Sequence, residues 1–262
     1  MAALTKTQIC NLALGRLGAS QLTDVDTDAS VESIQCLLHY DATLNALLRA
    51  HPWRFASLWV ELVLDAAADS GTSTDDTNTT VKLYDTDQAW TDDEWDGYYV
   101  WITGGTGENQ IREIASNQEE YLVPSVAFTT VPDATSTYEI WKNYPPYPWD
   151  YQFDMPSDFK RLNQTHSREI RYEIDAGLLK TNESSLAINY VQTVTVLDSD
   201  PLFLEVFTVA LAAKLCMPLL RDKTWQRELE AELREVVSRA RMVNLNESKS
   251  KPTTQTWLEG RQ

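Results

Sequence analysis

The chain has 262 residues, 43% of them hydrophobic, enough to fill one core and leave material for a second. Its 39 acidic residues against 22 basic ones give a formal charge of −17, which argues against the positive footprint of a conventional nucleic-acid binder. No run of about 18 apolar residues marks a membrane span, and the first residues lack the charged-then-apolar pattern of a signal peptide.

A first helix is predicted to open at Thr5 or Thr7 and to run through Ile9, Leu12, Leu14 and Leu17. Gln8 stands three residues after Thr5 as in a capping box, and Gly18 is a helix stop. Ala19 to Thr27 reads as a polar loop. Ser30 or Asp28 then caps a long amphipathic helix in which Val31, Ile34, Leu37, Leu38, Leu44, Leu47 and Leu48 recur at three- and four-residue steps, the pattern of a core-facing stripe. Pro52 pushes His51 out of the α region and ends that helix. Trp53 and Phe55 follow at once and are expected to anchor the core beside Pro52. The alternation of Leu58, Val60, Leu62 and Leu64 has the period of a strand with one buried face.

From Ala66 the composition changes. Residues 66–80 are small and polar and read as a linker, after which short β-branched or aromatic runs follow at Val81–Tyr84, Tyr98–Ile102, Gln110–Ile114, Glu120–Val123 and Ser136–Trp141. Between 66 and 141 stand fifteen acidic residues against Lys82 and Arg112, a net charge of −13, while the remainder carries only −4. That break predicts an inserted acidic all-β domain, a barrel or sandwich. Beyond Pro145-Pro146 the host domain is read as resuming with Trp149 to Phe153, and strands are predicted at Ile170–Ile174, Leu178–Lys180 and Leu186–Val194, with Asp175-Ala176-Gly177 as a hairpin loop. Helices follow from Asp200 to about Leu220 and from about Lys223 to Asn244. The expected fold is therefore α+β: a bundle of about four helices with a small antiparallel sheet (residues 1–65 and 142–246), carrying the inserted β-domain (66–141) and ending in an extended C-terminal arm (247–262).

Little in the sequence carries chemistry. Cys10, Cys36 and Cys216 lie in apolar helical contexts without CxxC or Cys/His spacing and are expected to be buried thiols made in a reducing compartment. Gly104-Gly105-Thr106-Gly107 lacks the Gly-Lys-Ser/Thr of a phosphate loop and is read as a hairpin turn. His39, His51 and His166 have no partner at ligand spacing, and Asp75-Asp76 and Asp92-Asp93 lack the spaced ligands of a calcium loop. No catalytic residue, metal or cofactor is expected, and the protein is not expected to be an enzyme.

Several segments, in this order, resemble the head-to-tail adaptor (connector) family of tailed bacteriophages, nearest in pattern to the tail tubular protein A group of short-tailed phages. They are Asn11-Leu12-Ala13-Leu14-Gly15-Arg16-Leu17-Gly18, Leu47-Leu48-Arg49-Ala50-His51-Pro52-Trp53-Arg54-Phe55-Ala56 and Met155-Pro156-Ser157-Asp158. Ile188-Asn189-Tyr190-Val191, Asp200-Pro201-Leu202-Phe203 and Trp257-Leu258-Glu259-Gly260-Arg261 complete the set. The resemblance implies a dodecameric ring in the virion, between the portal above and a tubular nozzle protein below, with a lumen for double-stranded DNA and synthesis in the host cytoplasm. Trp257, Leu258 and Arg261 form an apolar pair beside a cation in a polar tail, and are expected to anchor a pocket on the portal or a neighbouring subunit. The rival expectation is a glycan-binding virion module whose platform is Trp90, Trp95, Tyr98, Tyr99 and Trp101 of the insert.

Overall fold

The structure, a computed structural model, describes residues 4–74, 77–194 and 200–247. Helix α1 (Lys6–Leu17) and helix α2 (Val31–Ala50) lead through a 3-10 turn at Arg54–Ala56 into β1 (Ser57–Glu61). Then come β2 (Leu64–Asp65), β3 (Asp69–Thr72), β4 (Leu83–Tyr84), β5 (Tyr99–Gly104), β6 (Ile111–Gln118), β7 (Tyr121–Pro124), β8 (Thr137–Trp141) and β9 (Tyr151–Asp154). Strands β10 (Phe159–Thr165), β11 (Tyr172–Asp175), β12 (Leu178–Thr181) and β13 (Ala187–Gln192) precede α3 (Pro201–Leu220) and α4 (Lys223–Asn246).

The expected helical bundle with a small sheet is overturned. Among the described residues, thirteen strands in three antiparallel sheets stand beside four helices, about 27% strand against 33% helix, so the sheets are far more than a small addition to a helical bundle. The missed strands have a common cause. Asp69-Ser70-Gly71-Thr72 of β3 is a poor strand former that lies in what read as a linker, yet it pairs residue for residue with Thr137–Ile140 of β8. Strand β10, Phe-Lys-Arg-Leu-Asn-Gln-Thr, lacks a period of two because its pairing with β13 is interrupted by two register shifts. Pairing partners, not local propensity, make both.

The chain divides into two compact units, one of residues 1–60, 157–166 and 187–262, the other of 61–156 and 167–186. The boundaries differ from a break at 66 and 141, because β2, β9, β11 and β12 form a sheet of their own in the second unit, in the order β11-β12-β9-β2.

In the first unit the caps hold the helices where the sequence places them. The Thr5 hydroxyl accepts from the Gln8 N–H while the Gln8 side chain accepts from the Thr5 N–H, and Gly18 takes φ 66° at the end of α1. Ser30 caps α2, and Asp200 accepts from the N–H groups of Leu202 and Phe203 ahead of Pro201. Helix α3 is the centre of this unit. By length and composition it could cross a membrane, but Phe203, Val206, Phe207, Leu211, Leu215 and Cys216 are fully buried against α1, α2 and α4. The three cysteines are free and buried. The hydrogen bond to Cys36 and then burial push the Cys10 thiol far above its ordinary range.

In the second unit a six-stranded sheet of order β3-β8-β5-β6-β7-β4 curls into a half-barrel. Its core gathers Leu83, Val100, Ile102, Ile114, Leu122 and Ile140. One carboxylate is enclosed there. Asp85, 1% exposed, accepts from the Tyr138 hydroxyl at 2.6 Å and from the Asp87 N–H at 3.2 Å, the partners that a buried polar group requires. Burial and then that bond push the Tyr138 phenol well above its ordinary range. Gly71 is fixed by the same pair, since a Cβ there would sit 2.4 Å from Asp85 Oδ2. The β11–β12 hairpin turns on Ala176 and Gly177, both at positive φ, as a two-residue primed turn demands.

Candidate functional site

The joint between α2 and β1 is held by hydrogen bonds and ring contacts from α2, α3 and α4. Pro52 ends α2, and the Trp53 indole N–H turns back to donate to the Leu47 carbonyl at 2.8 Å. The Trp53 ring is 1% exposed and meets Phe203 edge-on at 5.0 Å. Phe55, half-buried, lies 4.8 Å from the same Phe203 ring. One residue that sequence reasoning missed closes the joint from α4. Asn244 accepts from the Arg54 N–H at 2.8 Å and donates to the Pro52 carbonyl at 3.1 Å, and its amide nitrogen lies 3.0 Å from His51 Nε2. Its spacing from Leu229, Val236 and Ala240, all buried, was the available signal: an amide on the apolar face of a helix. Burial, then the charges of Arg241 and Arg161, hold the His51 pKa below its ordinary value.

The predicted apolar stripe of α2 splits in two. Leu44 and Leu48 face the core, but Val31, Ile34 and Leu38 are 60%, 54% and 64% exposed, and Leu37 is exposed as well. The residues that turn inward at that end are Ser33, Cys36 and Tyr40, with the Ser33 hydroxyl donating to the Val25 carbonyl at 2.6 Å. An i, i+3, i+7 row of large aliphatic side chains therefore faces away from the core of its own unit. Met242 and Leu245 near the end of α4 are also more than half exposed.

In the second unit the aromatics expected to form one platform are divided between two faces of the half-barrel. Trp90 is buried, its indole N–H donating to Asp69 at 2.7 Å, and Trp95 and Tyr98 pack against the same core. Strand alternation turns Tyr99 and Trp101 to the opposite face from Val100 and Ile102, where Tyr99 meets Tyr144 at 5.5 Å and Trp101 meets Tyr147 at 6.3 Å. On that face Trp101, Trp141, Trp149 and Tyr151 line a groove of about 490 Å³.

The remaining candidates stand apart. The glycine loop Gly104–Gly107 connects β5 to β6 and packs on the Thr135 carbonyl, which a Cβ at Gly105 would meet at 2.2 Å. Beside it, hydrogen bonds from Thr106 and Thr135 hold the Asp133 carboxyl below its ordinary range. His39 lies on α2, and His166 Nδ1 accepts from the Ala187 N–H. Among the described residues no three His, Cys, Asp or Glu side chains gather as metal ligands would. Trp257, Leu258 and Arg261, with Asp75 and Asp76, lie outside the described residues.

No family model matches the chain, and no curated protein matches it in sequence.

Proposed function

We propose that the chain is a structural subunit of a tailed-phage neck: a non-enzymatic head-to-tail adaptor that closes with identical copies into a ring between portal and tail nozzle. The carrying observation is the Val31, Ile34 and Leu38 row of α2. A ring of identical subunits needs on each copy an apolar surface that stays in water until the neighbour arrives, and single chains rarely keep such a contiguous row for nothing. The order of the family-like segments from Asn11 to Arg261 supports the same assignment. The charge of −17 suits a passage that DNA crosses without sticking, because phosphate binding needs Lys and Arg. Analytical ultracentrifugation of the chain, alone and with its portal protein, tests this against an Ile34→Glu, Leu38→Glu variant. The native chain should associate and the variant should not, at equal melting temperature. A native chain that sediments as a single copy in both mixtures would overturn the proposal.

A further inference from the structure

The groove of the second unit offers chemistry that ring closure does not use. We propose that it binds a neutral glycan chain, with pyranose faces stacked on Trp101 and Trp149 and hydroxyls bonded to Asp65, Glu139 and Asp150. Its volume of about 490 Å³ falls in the range of small-ligand sites, and all its lining residues come from this one unit. Trp101 lies on the face of β5 away from the core, directly opposite Glu139 in the β5–β8 pairing. Its large ring therefore contributes little to the half-barrel's interior and, beside its edge contact with Tyr147, borders the groove where a partner with an apolar face can meet it.

Two of the rings are held in place by their polar edges. The Trp141 indole N–H donates to Glu139 Oε2 at 2.9 Å, and the Trp149 indole N–H donates to Glu173 Oε2 at 3.0 Å. The third is not. The Trp101 Nε1 is enclosed and has no protein partner, so no protein hydrogen bond fixes the ring's orientation and it can settle against a ligand's face. No Lys or Arg lines the groove, which disfavours an acidic glycan. Two of its three carboxylates are already engaged by neutral donors: Glu139 accepts from Trp141, and Asp65 Oδ2 accepts from Asn143 at 3.0 Å and from Gln152 at 2.8 Å. Carboxylate oxygens anchored in this way present their remaining lone pairs to hydroxyls.

Affinity electrophoresis of the full chain tests the proposal, in native gels cast with dextran, hydroxyethyl cellulose or galactomannan, and with alginate as the acidic control. Retardation is expected in at least one neutral gel and not in alginate. It should persist at high salt, because no net charge is exchanged. Trp149→Ala should weaken it at least about tenfold, the worth of one stacked ring. Ala66→Trp, which fills the groove from an exposed lining position, should do the same without removing any packed side chain. Three results would overturn it: no retardation in any neutral gel, retardation that survives Ala66→Trp at full strength, or retention that vanishes at high salt and passes to a polylysine probe. The last would identify a cationic partner. The ring proposal rests on α2 and stands or falls separately.

Discussion

Asn244 holds the groups that the α2–β1 joint leaves without partners, so its removal should be felt more than its position near the end of a surface helix implies. Asn244→Ala leaves the Arg54 N–H and the Pro52 carbonyl without their partner at a part-buried joint. The expected loss is about 1–3 kcal/mol, seen as a lower melting temperature by circular dichroism; an unchanged melt would show that water replaces the amide. His51 beside it gives the joint a pH dependence with a definite sign. Its pKa in the folded state lies below the ordinary 6.5, so the unfolded chain binds the proton more readily. Its contribution is complete above about pH 6.5 and fades as pH falls through the lowered folded-state value. Denaturant titrations across that window should show stability falling with acidification, and His51→Gln should flatten the slope. At this scale the sequence was legible for Pro52 and Trp53, where ring restriction and apolar bulk act locally. It was silent on Asn244, which acts across about 190 residues of chain.

Helix α2 shows what a pattern conveys and what it does not. Its ends are chemically encoded by Ser30 and Pro52, but its periodicity gave only an apolar stripe, not the surface that covers each part. The carboxyl-terminal half faces the unit's own core. The amino-terminal half does not, and small or polar Ser33 and Cys36 turn inward instead. Substitutions separate the two halves. Leu38→Ser should change the stability of the isolated chain by no more than about 0.5 kcal/mol, whereas Leu48→Ala should cost about 2–5 and Trp53→Ala about 3–5 kcal/mol. A Leu38→Ser variant that melts as early as Leu48→Ala would place that row in the core. The strands follow a similar division: Tyr99–Gly104 was visible from its β-branched and aromatic content, while Asp69–Thr72 exists only because β8 supplies its hydrogen bonds.

The whole chain alternates between its two units, crossing from one to the other after Val60, Pro156, His166 and Leu186. The acidic composition break fell at the half-barrel, but not at the four-stranded sheet that accompanies it, because that sheet is assembled from short strands that are not continuous in sequence. Among the described residues, none of 67–142 belongs to the core of the first unit. Replacing them with a short Gly/Ser loop should therefore preserve the helical circular dichroism and its cooperative melt, and loss of both would show that the units fold as one. The central claim concerns assembly, and negative-stain imaging of the native chain mixed with its portal protein tests it most directly. Closed rings, or collars seated on portals, are the predicted result; fields of single copies beside bare portals would contradict it.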